Sequence, residues 1–172
     1  PEGRHGDDGL TIGREGLAPV TDFIDMAVAE KKPFFIWYAP FLPHLPHTPP
    51  KRLLDKYSVE GRSEFIAKYY AMVEWFDETN GDLMKHIDQK GLTDNTLFIY
   101  VTDNGWIQRE DQSGFAPRSK QTSYEGGIRT PMMFFWGDKF KAKERPELVS
   151  SIDIVPTILA AAGARTPSDL PG

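Results

Sequence analysis

The sequence predicts an α/β fold with a predominantly parallel central sheet flanked by helices. Three observations predict it. Unbroken apolar runs at residues 34–39 (FFIWYA), 97–101 (LFIYV) and 132–136 (MMFFW) lack the polar alternation of a half-exposed strand, so they read as strands covered on both faces. The first two run directly into polar loops, which is how an open sheet carries functional groups to its carboxyl edge. Between them, apolar residues recur at three- and four-residue spacings across 64–89, the stripe of a helix that covers such a sheet.

Composition bounds the chemistry. The chain has 172 residues, 40% of them hydrophobic, enough for one domain with a real core. Twenty basic against twenty-five acidic residues give a net charge of −5, and no basic block stands out, so the sequence offers no nucleic-acid footprint. The absence of cysteine removes both a disulfide framework and a thiol nucleophile from this chain. No apolar run approaches the roughly 20 residues of a membrane-spanning helix. The first residues show no signal-peptide pattern and no initiator methionine, which fits a processed product or an internal piece.

Residues 1–20, with glycine at 3, 6, 9, 13 and 16, read as a loop or truncated edge, and the Asp7-Asp8 pair as a solvated turn. A helix follows over 21–32, capped by Thr21 or a neighbour and stopped with the help of Pro33. After the strand at 34–39, the segment PFLPHLPHTPP carries five prolines and must leave regular structure, forming a stiff loop that holds His44 and His47. Residues 51–63 form a polar connection with a short helical turn. The helix at 64–89 contains Asn80-Gly81, where close packing could demand the small residue, and ends at Gly91. Thr93-Asp94-Asn95 then makes an ordinary turn into the strand at 97–101. Gly126-Gly127 permits a tight turn or a close approach to another backbone. A final helix is expected over 151–162, with Asp153 as a local cap and Pro156 in its first turn. The domain proper is thus 21–163, with 164–172 a loop leading out.

The candidate site lies where the strand at 97–101 breaks into Asp103, Asn104 and Gly105. Asn104-Gly105 supplies the turn that lets neighbouring polar residues serve one place. If the carboxyl ends of this strand and of 34–39 converge, His44 comes beside Asp103 and Asn104, with Lys120 entering from the following loop. An anionic ester needs that combination: a cation to neutralise charge, oxygen ligands for a hard divalent metal, and a proton donor for the leaving oxygen.

Five blocks in order carry a specific resemblance: KPFFIWYAPFLPHLPHTPP, YYAMVEWFDETNGDLM, TLFIYVTDNG, SKQTSYEGGIRTP and SIDIVPTILAAAG. Together they resemble a central-to-carboxyl-proximal portion of the sulfatase family, within the alkaline-phosphatase superfamily. The resemblance implies a partial sulfatase-like α/β domain in which His44 contacts sulfate or assists the leaving group. It implies that Asp103 and Asn104 are the distal ligands of a divalent cation, usually calcium, and that Lys120 contacts the sulfate; His47 lies outside the matching position and reads as a residue at the rim of the substrate site. Glu125, Gly126, Gly127 and Arg129 belong to the adjoining motif and read as loop architecture. The family's Cys/Ser-x-Pro-x-Arg motif, whose first residue becomes formylglycine, and its upstream aspartate pair have no counterpart here. The expected parent is therefore a formylglycine- and metal-dependent sulfuric ester hydrolase acting on a sulfated alcohol, sugar or aryl ester, periplasmic or secreted by family resemblance. This chain alone is expected to be inactive, its missing sheet portion coming from the parent or an oligomeric partner. A phosphatase or phosphodiesterase of the same superfamily, or a non-catalytic truncated homologue acting in binding or assembly, remains the alternative.

Overall fold

A computed structural model describes residues 10–171; the Asp7-Asp8 pair lies outside them. The chain runs through helices α1 (Ala18–Ala29), α2 (Lys51–Tyr57) and α3 (Glu64–Gln89), then strand β1 (Phe98–Val101), helix α4 (Glu125–Ile128), strand β2 (Met132–Phe135) and helix α5 (Ile154–Ala161). Single 3-10 turns at Thr93–Asn95 and Ser151–Asp153 precede β1 and α5.

The predicted central parallel sheet is not what forms. Among the described residues the sheet has two strands, β1 and β2, and they are antiparallel, with Phe98 opposite Phe135 and Val101 opposite Met132. Residues 34–39 join no sheet, and no backbone–backbone hydrogen bond ties them to another described segment. Their exposure nevertheless alternates residue by residue, and Phe35 and Trp37 are 65% and 85% exposed while Phe34, Ile36 and Tyr38 are partly covered. An apolar run fixes which residues favour extended backbone, but pairing requires a neighbour and a register that lie elsewhere in sequence. Here the extended run lacks both.

The core is helical. Ile24 and Ala27 of α1, Leu42 of the proline-rich loop, Leu53 of α2, and Ala67, Ala71, Met72 and Ile87 of α3 are its buried apolar residues, and none comes from β1, β2 or α5. The accessible surface is 12251 Å², against about 8,500 Å² for a compact monomer of this mass by area scaling. Much apolar surface of the strands therefore remains uncovered, including Met133, Phe134 and Phe135.

Local chemistry explains the helices and corrects some of their details. Ser63 accepts from the Phe65 amide at 3.1 Å and caps α3, which ends as Gly91 takes φ +67°. Bidentate Arg52–Glu78 and Lys56–Glu74 ion pairs flank buried Leu53 where α2 lies on α3. Helix α1 begins at Ala18 with Pro19 in its first turn, and Thr21 does not cap it: the Thr21 hydroxyl bonds back to the Leu17 and Ala18 carbonyls. Before α5, Ser150 and Asp153 cap each other reciprocally. No close packing requires Gly81, because a Cβ there would meet nothing within 4 Å.

Candidate functional site around Trp106

The proline-rich loop is held in shape by one side chain. Arg14 donates to the Phe41, His44 and Pro46 carbonyls at 2.8, 3.2 and 3.3 Å and to the Thr48 hydroxyl at 3.0 Å, and its guanidinium lies 5.8 Å from the Trp75 ring. Prolines at 40, 43, 46, 49 and 50 leave this loop poor in donors, so an external fork of N–H groups organises its carbonyls. Arg14 itself stands in a tight turn closed by the Gly13 amide on the Gly16 carbonyl. Gly13 takes φ +87°, and a Cβ there would lie 2.5 Å from the Tyr38 hydroxyl.

Within the loop His44 is half-buried, edge-on to Phe41 at 5.9 Å, with Nδ1 2.8 Å from the Leu45 carbonyl. A carbonyl can only accept, so Nδ1 carries the proton in this contact. His47 has a different environment. Its ring lies 5.6 Å from Tyr69 and 6.2 Å from Trp106. Burial, followed by the nearby charges of His44, Arg14 and Lys68, lowers its pKa to about 4 despite a bond to the Pro43 backbone.

From the other side, the segments at 103–108 and 118–127 interlock. The Gly105 amide bonds the Gly127 carbonyl at 2.8 Å, and the Ile107 amide bonds the hydroxyl of fully buried Ser119 at 2.7 Å. Glycine is compulsory at this contact: a Cβ at 105 would stand 2.2 Å from the Gly126 carbonyl oxygen, and one at 127 would stand 2.4 Å from that of Ser119. Lys120, next to anchored Ser119, places its ammonium 5.6 Å from the Trp106 ring centroid. Tyr69 stacks on the same ring at 6.1 Å and Phe115 meets it edge-on at 5.5 Å, while the indole donates to Gln108 at 3.2 Å. Trp106 is thus the point at which the histidine loop, the loop after β1 and the lysine segment meet.

A family profile described as sulfatase matches residues 16–164. The chain belongs to the sulfatase family. It is 33% identical to human arylsulfatase A over 156 residues, which are 88% of this chain but 29% of that protein. It is 29% identical to an N-acetylgalactosamine-6-O-sulfatase of Bacteroides thetaiotaomicron, covering 93% of this chain and 34% of the relative. The crystal structure of Ps i-CgsB superposes with a TM-score of 0.78 at 30% identity, over 96% of this chain and 36% of that one. The sulfatase chain therefore spans about a third of the length of these relatives.

Two oxygen-bearing side chains do not make a calcium shell, which takes six to eight oxygens. Asp103 is exposed, and Asn104 uses its amide nitrogen on the Gly105 carbonyl at 2.9 Å, so its side-chain oxygen is the end left for a cation. Among the described residues of the sulfatase chain no three histidines or acids gather where they could hold a metal. The donor chemistry suits a hard cation, but the set present here does not enclose one. Of the residues singled out in the sequence, His47 and Lys120 meet on Trp106, while the Phe41 and Leu45 contacts of His44 and the Gly105 contact of Asn104 lie within their own loops. Arg14, Ser119 and the role of Trp106 as a hub were not evident in the sequence; Gly13 and Gly16 around Arg14 were the one local sign of a built turn.

Proposed function

We propose that the parent protein is a sulfuric ester hydrolase and that this chain supplies the part of its site that faces the leaving alcohol. The supporting observation is the meeting of the histidine loop and the Ser119-Lys120 segment on Trp106. In this reading the Lys120 ammonium holds anionic oxygens of the ester, and His44, with Nδ1 committed to the Leu45 carbonyl, gives a proton from Nε2 to the departing oxygen. Arg14 keeps His44 in place by fixing the carbonyls on either side of it. His47 stays neutral and forms part of the wall.

The complete protein would add the remaining ligands of a calcium ion beside Asp103 and Asn104, and the formylglycine nucleophile for which this chain has no motif. It would also provide the neighbours that residues 34–39 do not find among the described residues. Its substrate would be a sulfated saccharide or other alcohol: among similar structures, one at 30% identity and TM-score 0.54 was solved with its substrate, D-glucosamine-2-N,6-O-disulfate. A periplasmic or secreted location accompanies this proposal through the family resemblance. No helix of the described residues is long and apolar enough to cross a membrane.

Sulfate-ester hydrolysis by the parent, with and without substitution, tests the assignment. His44→Ala and Lys120→Ala should each lower kcat/KM by roughly 100-fold or more, the usual scale for a lost acid–base group or charge stabiliser. The 172-residue chain alone should show no turnover. Full activity in either variant, or hydrolysis by the isolated chain, would overturn the proposal.

A further inference from the structure

Lys120 stands on a tightly held piece of backbone. Just before it, the Ser119 hydroxyl accepts from the Ile107 amide and the Ser119 carbonyl accepts from the Thr122 hydroxyl at 2.6 Å. On either side, Arg118 and Gln121 take φ +60° and +66°, left-handed backbone that residues other than glycine enter at a cost. The side chain itself is a flexible stem, and among the described residues no acid forms an ion pair with it. What the ammonium meets is the Trp106 ring, 5.6 Å from its centroid.

That ring is held from several directions. Its N–H donates to Gln108, which is buried and whose own amide donates to the Arg109 and Gln112 carbonyls at 3.1 Å each. Tyr69 stacks within 27° of parallel, while His47 and Phe115 meet the indole edge-on. A rigid aromatic face thus stands beside the one flexible part of the Lys120 segment.

We infer that Trp106 is a positioning residue for Lys120, its ring face holding the ammonium where the anionic oxygens of the ester arrive. The assignment rests on Lys120 holding those oxygens, as in the sulfatase reading above, and adds the group that aims it. An aromatic face attracts a cation through its quadrupole and leaves the ammonium N–H donors for the substrate. A carboxylate in the same place would hold the lysine too, but it would cancel the charge and repel an anionic ester. Trp106 therefore narrows the rotamers of Lys120 before substrate arrives without competing for its charge.

The test places mono-, di- and trifluorotryptophan at position 106 of the parent protein, which keeps the ring's shape and drains its negative face stepwise. On a sulfate ester, kcat/KM should fall with each added fluorine, by roughly tenfold across the series, the size of one partly desolvated cation–ring contact. In a Lys120→Met background the same series should stay flat within about twofold, because the charge that the ring holds is gone. A tryptophan that only packs the loops together gives a flat series with Lys120 in place. That result, or a fall that persists without the lysine, would overturn the inference and leave the hydrolase assignment standing. Full activity in Lys120→Ala would remove the role of Lys120 and, with it, the role of Trp106.

Discussion

Gly105→Ala should be among the most damaging single-methyl additions to this chain. The new carbon would sit 2.2 Å from the Gly126 carbonyl oxygen and 2.8 Å from its carbon, backbone atoms that cannot rotate away as a side-chain tip can. Relief requires the 103–108 and 118–127 segments to separate, which also strains the 2.8 Å bond from the Gly105 amide to Gly127. Overpacking of this kind costs about 1–3 kcal/mol and the bond about 1 kcal/mol, giving a loss of about 2–4 kcal/mol. Gly81→Ala is the internal control, since the same methyl group lands mid-helix in open space and should stabilise by about 0.5–1 kcal/mol through helix propensity. Urea unfolding of the two variants beside the wild type, followed by far-UV circular dichroism, should give shifts of opposite sign. If Gly105→Ala costs under about 0.5 kcal/mol, the loops are not locked as described and the placement of Lys120 loses its basis.

Stability should also depend on pH through His47. Its folded pKa is lowered to about 4 from an ordinary 6.5, so between those values the unfolded chain binds a proton that the folded chain refuses. Stability therefore falls as pH drops through that window, by at most about 3 kcal/mol and less with solvent screening. His47→Phe should flatten the difference between urea midpoints measured at pH 7.5 and 4.5, and an unchanged slope would contradict the buried neutral imidazole. Arg14→Lys should destabilise by about 1.5–3 kcal/mol, because a single ammonium cannot reproduce a fork serving three carbonyls and a hydroxyl. Proteolysis should then open the chain first within residues 41–48, and cleavage unchanged from wild type would count against the arginine brace.

How much the sequence disclosed followed the range of the interactions. Helix α3 was legible from end to end because its signals are local: the Phe65, Ile66, Tyr69 and Val73 spacing and a glycine at 91, although the Ser63 cap was not singled out. The first Thr-Asp-Asn triplet was legible as a turn for the same reason, and it forms the 3-10 turn Thr93–Asn95. The run at 34–39 disclosed its backbone preference but not its pairing, which depends on partners that no local pattern encodes. The sheet topology was misjudged on that account. At the site, the polar residues were visible as motifs, whereas Arg14 sat in a glycine-rich stretch read as loop, and its task is defined only by carbonyls some 30 positions away. Ser119 was equally silent, since a small buried hydroxyl matters only for the Ile107 amide it meets.

The alternating exposure of residues 34–39 carries a practical consequence. Amides that find no ladder partner among the described residues, beside the uncovered Phe35 and Trp37, form a ready template for any passing extended peptide. Concentrated solutions of the isolated chain should therefore self-associate through this edge, drawing Trp37 out of water and shifting its fluorescence to the blue. A charged residue at position 35 or 37 should restore solubility.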